Sequence, residues 1–216
     1  MQARNVLVAD DHPLTREGLG LAARAAFPGI GIDNAGSIEE AEAAIARRGD
    51  YRLALLDLGL PDAHGFSGFL RLQHRLGRTP IVIVTAHRDP RLVEAARALG
   101  AAGYLLKSSS IDELSQAIRK IAEGTVIFPA IANHDMSEIA NARNRLDALS
   151  GAQMRVLLAM ADGRNNKQIA GDLVISEATV KAHLTAIFRK LHVTNRTQAL
   201  LAMQPLFGDT APDSAL

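Results

Sequence analysis

Short apolar runs that recur through the first half of the chain constrain its fold more than any other feature. Each run is apolar at consecutive positions, which is typical of strands buried on both faces of a sheet. The runs are Val6–Ala9, Gly31–Ala35 (the weakest), Leu53–Leu56, Ile81–Val84 and Gly103–Leu106. Helix-like stretches lie between them. The sequence therefore predicts an α/β unit in which five parallel strands alternate with five helices that cover both faces.

Helix signals support this alternation. Two of the stretches, Ser37–Arg48 and Ser110–Glu123, begin with a Ser followed three residues later by a Glu, the capping-box pattern. A third stretch, Arg91–Leu99, is followed by Gly100, a residue typical of helix ends. A fourth, Thr15–Ala26, carries a stripe of Leu and Ala at helical spacing. The first 123 residues are thus predicted to form one flavodoxin-like domain.

The rest of the chain has a different texture. Residues 124–145 have mixed polarity and predict a linker with at most a short helical turn. Residues 146–204 predict a separate all-α domain, and residues 205–216 predict a frayed tail. The helices predicted in the all-α domain are Gly151–Ala161, Lys167–Asp172, Glu177–Leu191 capped by Ser176, and a last helix from the cap Asn195 to about Met203.

Composition excludes several classes of protein. The 216 residues include no Cys, which excludes disulfides, Fe–S clusters, Cys-ligated zinc and thiol nucleophiles. No apolar run reaches the roughly 18 residues that a membrane span requires, and the N-terminus is unlike a signal peptide. We therefore expect a cytoplasmic protein that makes no use of a membrane. The net charge is +1, but residues 146–204 hold seven Lys and Arg against four Asp and Glu, a mild bias that suits a polyanionic partner.

Polar side chains stand where the predicted strands end. Asp10 and Asp11 follow the first strand and Asp57 follows the third, while Thr85 and Lys107 follow the fourth and fifth. Because ligands of parallel sheets bind at the carboxyl ends of the strands, these five residues are expected to converge on one edge. Three carboxylates repel one another unless a cation such as Mg²⁺ lies between them. A carboxylate beside Mg²⁺ and a Lys can accept a phosphoryl group. The alternative is that strand-end acids merely cap helices or face solvent.

Four sequence segments then identify a resemblance. VADDHPLTREGL, LALLDLGLPDAHG, IVIVTAH and GYLLKSS, in this order, are similar to the receiver domain of bacterial two-component response regulators, over about residues 4–123. The resemblance implies that Asp57 is the phosphoacceptor. It implies that Asp10 and Asp11 hold Mg²⁺ together with Asp57, and that the Gly59 carbonyl is a further ligand.

The same resemblance assigns a phosphoryl-sensing switch. It implies that Thr85 and Lys107 contact the phosphoryl group, and that Tyr104 occupies the position of a rotating aromatic residue. A half-buried core tyrosine is the alternative for Tyr104. The remaining histidines show no metal-binding spacing on one helix and are predicted to be surface or loop residues: His12, His64, His74, His87, His134 and His192.

The second half of the chain predicts a helix-turn-helix. A short helix joins Glu177–Leu191 through the turn Leu173–Ile175, and in this motif the second helix enters the DNA major groove. One face of the second helix carries Lys181 and Thr185 among small residues, which permits close approach to a groove. Lys167 on the first helix and Arg189 or Lys190 on the second are candidates for phosphate contact. Periodicity alone also permits an ordinary three-helix bundle.

Here too the residues carry a resemblance. Residues 149–201 are similar to the LuxR-type DNA-binding domain through NKxIA, SExTVKxH, FRKLxV and NRTxA, so the chain resembles the NarL/FixJ family along nearly its whole length. The match implies that Lys181 is the main base or phosphate contact, with Ala182 and Thr185 on the groove face. It implies backbone or structural contacts for Ser176, Thr179 and His183. Gln153 and Thr185 depart from common members, so the DNA sequence cannot be inferred by analogy.

Together these features predict a transcriptional response regulator rather than a dedicated enzyme. We expect a sensor histidine kinase to phosphorylate Asp57, and phosphorylation to control dimerisation and release of the DNA-binding domain onto promoter DNA. One alternative is a constitutive DNA-binding regulator whose phosphorylation is vestigial. Another is a phosphoaspartate hydrolase, which needs a second acid two residues after the nucleophile, where this chain has Gly59.

Overall fold

A computed structural model of the chain describes residues 5–130 and 137–207. The chain divides into two compact units, the first built on the α/β half and the second on the helical half. None of the described helices is both long and apolar enough to cross a membrane.

The first unit is built on a parallel five-stranded sheet, as predicted. Its strand order is β2-β1-β3-β4-β5. The strands are β1 (Asn5–Ala9), β2 (Gly31–Ala35), β3 (Leu53–Leu56), β4 (Ile81–Thr85) and β5 (Gly103–Leu106). β1 begins one residue earlier than predicted, and β4 includes Thr85 as its last residue. Because the strand order reverses beside β1, the crevice expected of such sheets opens at the carboxyl ends of β1 and β3.

Helices cover both faces of this sheet. They are α1 (Pro13–Ala26), α2 (Ile38–Arg48), α3 (Ser67–Leu76), α4 (Pro90–Ala98) and α5 (Ile111–Ala122). On one face, alternate strand residues such as Val8 and Leu55 form a buried cluster with α1 and α5. The intervening residues, among them Leu7 and Leu56, are equally buried on the other face. This burial on both sides explains why the strands are apolar at consecutive positions.

The predicted caps are present. Ser37 Oγ accepts a hydrogen bond from the Glu40 N–H (3.1 Å), and Ser110 with Glu113 forms a complete capping box. Gly100 lies just beyond α4 with φ of +84°, a conformation that glycine adopts without strain. Each signal therefore places a helix end within a residue or two of its predicted position.

The predicted linker differs from the expectation of little structure. Ile127 pairs with the edge of β5, where its carbonyl oxygen accepts the Tyr104 N–H at 2.8 Å. Further on, an eleven-residue helix, α6 (Ser137–Asp147), replaces the predicted short turn. Its buried residues Ile139, Ala142 and Leu146 form a stripe against the last helix. Mixed polarity hid this helix, because its stability comes from packing rather than from a strong sequence pattern. Residues 131–136 of the predicted linker, His134 among them, lie outside the described residues.

The second unit is all-helical, as predicted. After α6 come α7 (Gly151–Ala161), α8 (Asn166–Leu173), α9 (Glu177–Leu191) and α10 (Arg196–Phe207). The bounds of α7 and α9 match the prediction, and the predicted caps Ser176 and Asn195 both accept a backbone N–H. α10 continues four residues past Met203 and includes Pro205, so the first residues of the predicted tail are helical. Residues 208–216 lie outside the described residues.

Candidate functional sites

The carboxyl ends of the strands hold a buried acidic pocket. Asp10 follows β1 and is fully buried, and Asp57 follows β3 and is 7% exposed. Lys107, which follows β5, places its Nζ 2.8 Å from Asp57 Oδ2 and 2.8 Å from Asp10 Oδ2. The three residues are brought together because β1 and β3 are parallel neighbours and β5 ends at the same edge. The fold thus converges these predicted site residues on one edge.

One ammonium group serves two carboxylates in this pocket. Burial raises the pKa of the Asp57 carboxyl, and the hydrogen bond from Lys107 offsets this only in part. Burial acts against the charge of Lys107, but its contacts with Asp10 and Asp57 outweigh burial and raise the Lys107 pKa. With all three ionised, the pocket carries one uncompensated negative charge. It is therefore suited to hold a further cation.

The geometry around Asp10 fits a small, oxygen-preferring cation. Asp10 Oδ1 accepts the N–H of His12 at 2.9 Å, whereas its buried Oδ2 accepts no hydrogen bond within the described residues despite its closeness to Lys107. Asp11 is more exposed and lies beside Asp10, and ligand atoms of Asp10, Asp11 and His12 lie within 4.8 Å of one another. Carboxylates with room for water are the set that Mg²⁺ prefers. The predicted surface residue His12 is indeed exposed, but its Nδ1 lies 2.6 Å from Asp11 Oδ1.

Gly59 keeps the Asp57 carboxylate accessible. The Gly59 N–H donates to Asp57, which works against the burial effect on the Asp57 pKa. A Cβ at position 59 would lie 3.3 Å from Asp57 Oδ2, closer than most real Cβ contacts. Glycine therefore leaves space beside the carboxylate that any larger residue would restrict.

Thr85 and Tyr104 hold the same loop residue. Thr85 is buried at the end of β4, and its Oγ1 accepts the His87 N–H at 3.3 Å. The Tyr104 ring is 1% exposed, and its hydroxyl donates to the His87 carbonyl oxygen at 2.9 Å. Burial, with Asp89 and Asp57 nearby, raises the pKa of the Tyr104 phenol. The loop after β4 is thus bound from both predicted switch residues, and the tyrosine is fully rather than half buried.

Two residues that sequence analysis did not single out also support the pocket. Arg16 on α1 donates to the Asp10 carbonyl oxygen at 2.6 Å. Asp62, in the loop after Asp57, accepts two backbone N–H groups from the start of α2. Both residues stand inside the quoted motifs VADDHPLTREGL and LALLDLGLPDAHG. No local pattern showed that they contact distant backbone.

In the second unit, α8 and α9 form a helix-turn-helix. Val174 makes the turn with φ of +55°, in the left-handed region, and its side chain is 89% exposed. α9 buries Val180, Leu184 and Ile187 against the core. Lys181, Ala182 and Thr185 are exposed on another face of α9, together with Arg189 further along; Lys167 is exposed on α8.

Several predicted DNA contacts already have local partners. Ser176 Oγ caps α9 through the Thr179 N–H at 3.0 Å and lies 2.8 Å from Thr179 Oγ1. Thr185 Oγ1 donates to the Lys181 carbonyl oxygen at 3.0 Å, and His183 is half-buried. These partners leave the Lys181 ammonium as the cationic group at the centre of the exposed α9 face.

Lys190 was predicted as an alternative phosphate contact but is engaged within the fold. Its Nζ donates to the Ala148 carbonyl oxygen at 2.9 Å and to Gln153 Oε1 at 2.8 Å. Gln153 in turn completes the capping box of α7 with Ser150. The unusual residue Gln153 therefore joins the start of α7 to the end of α9.

Comparison with known proteins gives matches along nearly the whole chain. Residues 6–119 match the family described as "Response regulator receiver domain", and residues 147–203 match "Bacterial regulatory proteins, luxR family". The "Glycerol metabolism activator" of Pseudomonas putida is 39% identical over 91% of this chain and 93% of its own length. The "Probable transcriptional regulatory protein NarL" of Mycobacterium tuberculosis is 32% identical over 90% of this chain and 91% of its own length.

Among solved structures, the RcsB response regulator of Salmonella typhimurium is similar in fold. One RcsB structure has a TM-score of 0.52 at 21% identity and covers 94% of this chain and 99% of its own. A structure of RcsB dimers bound to DNA has a TM-score of 0.53 at 20% identity, with coverage of 95% and 100%.

Proposed function

Because the chain belongs to the response regulators that join a receiver domain to a LuxR-type DNA-binding domain, we propose that a sensor histidine kinase phosphorylates it on Asp57 and thereby controls its action on transcription. The observation that carries this proposal is the buried group of Asp10, Asp57 and Lys107 at the carboxyl ends of the strands. Ion pairs elsewhere in proteins match their charges, whereas this one holds two carboxylates against one ammonium. Such an imbalance suits a site that receives a cation and a phosphoryl group.

The proposed transfer needs little covalent chemistry from the protein. An Asp57 carboxylate oxygen attacks the phosphorus of the phosphohistidine, and the P–N bond breaks with its electron pair left on the imidazole. Lys107 is already 2.8 Å from Asp57 and can transfer its hydrogen bond to a phosphoryl oxygen. Mg²⁺, held by Asp10, Asp11, Asp57 and the Gly59 carbonyl, would supply charge neutralisation on the phosphoryl oxygens.

The switch follows from the shared hold on His87. When the Thr85 hydroxyl turns to the phosphoryl group, it gives up the His87 N–H that it accepts in this structure. The Tyr104 hydroxyl, bonded to the carbonyl of the same residue, then loses its fixed partner. We propose that this pair of changes alters the loop after β4 and the surface formed by α4 and β5.

The proposed target is double-stranded promoter DNA. Lys181, Ala182 and Thr185 form the exposed face that would enter the major groove, and Lys167 and Arg189 would contact phosphates. Ser176, Thr179 and His183 would position backbone. With so few cations a single domain binds weakly, so a homodimer on two half-sites, formed on activation, is the proposed active species. The place of action that we propose is the cytoplasm.

The test is DNA selection from a random pool before and after treatment with acetyl phosphate and Mg²⁺. We expect a marked rise in affinity together with dimer formation, and we expect Asp57→Asn to abolish acid-labile phosphorylation. Equal selective binding in both states would instead indicate constitutive regulation with vestigial phosphorylation. Undiminished labelling of Asp57→Asn would refute the proposed phosphoacceptor.

A phosphoaspartate hydrolase is the less favoured candidate. That chemistry needs a second acid where Gly59 stands, and a Cβ there would already crowd the Asp57 carboxylate. Turnover of small phosphate esters would be its signature.

A further inference from the structure

The loop that follows Asp57 is tied to a distant helix by one carboxylate. Asp62 Oδ1 accepts the N–H of Ile38 at 2.8 Å, and Asp62 Oδ2 accepts the N–H of Glu39 at 2.9 Å. Both N–H groups belong to the first turn of α2, where backbone donors lack partners within the helix. A carboxylate at this positive end forms charge-assisted hydrogen bonds, which are stronger than neutral ones. Asp62 thus links the loop to α2 through two strong bonds.

The loop is anchored between Asp57 and Asp62 as well. Leu58 and Leu60 are 2% and 3% exposed, so both side chains are held in the core. Gly59 lies between these two anchors, and its N–H donates to Asp57. With no side chain of its own, Gly59 has its position set by its neighbours. Asp62 provides the anchor on the far side from β3.

The helices on either side of the loop pack without slack. A Cβ at Gly68 of α3 would lie 2.7 Å from Ile38 Cδ1 and 3.1 Å from Ala63 Cβ. Ile38 is also a residue whose N–H Asp62 accepts. The start of α2, the loop and the start of α3 therefore form one closely packed unit. Its geometry reaches Gly59 and, through Gly59, the Asp57 carboxylate.

From these contacts we infer that Asp62 is a positioning residue for phosphorylation of Asp57. By fixing the loop on α2, it holds the Gly59 backbone so that the Asp57 carboxylate stays accessible and the Gly59 carbonyl can serve the cation site. This inference rests on the proposed function, but it adds a residue that acts through Gly59 rather than on the phosphoryl group.

The test compares Asp62→Ala and Asp62→Asn with Ser37→Ala. Ser37 caps the same helix through the Glu40 N–H, so its loss weakens the start of α2 without releasing the loop. Each full-length protein is treated with acetyl phosphate, whose phosphoryl group moves to an Asp57 oxygen while acetate leaves with the bonding electron pair. The rate is followed by intact-protein mass spectrometry. Mg²⁺ binding to the unphosphorylated protein is measured by isothermal titration calorimetry.

We expect Asp62→Ala to slow phosphorylation and weaken Mg²⁺ binding, each about tenfold, as is common when a residue that supports ligands is removed. Asp62→Asn keeps one acceptor oxygen and should show a smaller loss in both. Ser37→Ala should lower the melting temperature but leave the rate and the Mg²⁺ affinity near wild type. If Asp62→Ala does not fold, Asp62→Asn supports the same comparison.

Wild-type rate and Mg²⁺ affinity in both Asp62 variants would overturn the inference. Equal losses in Ser37→Ala would overturn it too, because they would show that Asp62 acts only on the stability of α2. If wild type itself takes no phosphoryl group, the proposed function fails, and the Mg²⁺ titration still decides whether Asp62 positions the cation site.

Discussion

The Asp57 side chain is placed where its charge costs stability, and this cost is part of what makes the site chemically useful. Its carboxylate is almost fully buried and shares Lys107 with the buried Asp10. Burial raises its pKa, so the folded chain disfavours ionised Asp57 relative to the unfolded chain. A group in this state gains from any ligand that adds positive charge nearby.

We therefore predict that Asp57→Asn stabilises the protein at neutral pH. Asn removes one negative charge and leaves Lys107 paired with Asp10, so the pocket becomes neutral. The gain should be on the order of 1 kcal/mol, measured by urea unfolding at pH 7 without divalent cations. Because the folded-state pKa of Asp57 is raised, wild type recovers stability as the pH falls through that value, and the difference should shrink below it. Mg²⁺ should also narrow the difference by stabilising wild type. A less stable Asn variant would contradict this account.

At the scale of elements, the helix-turn-helix contains a strained connection. Val174 ends α8 in the left-handed region, which a β-branched residue adopts at a cost. Its side chain is 89% exposed and therefore gains little from burial in return. The turn places α8 and α9 at the angle of the motif, so the strain lies in the connection rather than in either helix.

Val174→Asn should stabilise the protein by about 1 kcal/mol, because Asn tolerates the left-handed conformation. Thermal unfolding monitored by circular dichroism measures the effect. Val126→Asn is the matched control: Val126 is another exposed valine, 61% accessible, but it is absent from the positive-φ residues. An equal gain in the control would show that polarity, not backbone strain, explains the result.

Elements also show how far sequence reasoning reaches in this molecule. Buried strands leave consecutive apolar residues and polar ends, so the positions of Asp57 and Lys107 at one edge follow from local patterns. Helix α6 does not, because its buried stripe is interrupted by polar residues and is stabilised by α10. The Asp62 bonds to α2 and the Lys190 bond to Gln153 join residues far apart in sequence. Such pairs leave no local pattern, and only the folded backbone reveals them.

At the scale of the whole molecule, the chain joins two units with different chemistry. The first holds a carboxylate site for phosphoryl transfer, and the second presents a cationic helix face to a polyanion. If the proposed roles are right, each site can be disabled without damage to the other. Helix α9 offers a matched pair of lysines for this purpose, since Lys181 is exposed whereas Lys190 is bonded within the fold.

We predict that Lys181→Ala weakens binding to selected DNA by about tenfold, in the range of one lost base or phosphate contact. Its melting temperature and its labelling by acetyl phosphate should match wild type, because the Lys181 ammonium lies on an exposed face of the second unit. Lys190→Ala should instead lower the melting temperature, because it removes the bonds to Ala148 and Gln153. Fluorescence anisotropy at two salt concentrations measures both affinities and shows whether the lost contact is to phosphate. Unchanged DNA affinity in Lys181→Ala would place the DNA-binding face elsewhere on the second unit, whereas reduced labelling would mean that this helix face and the carboxylate site are not independent.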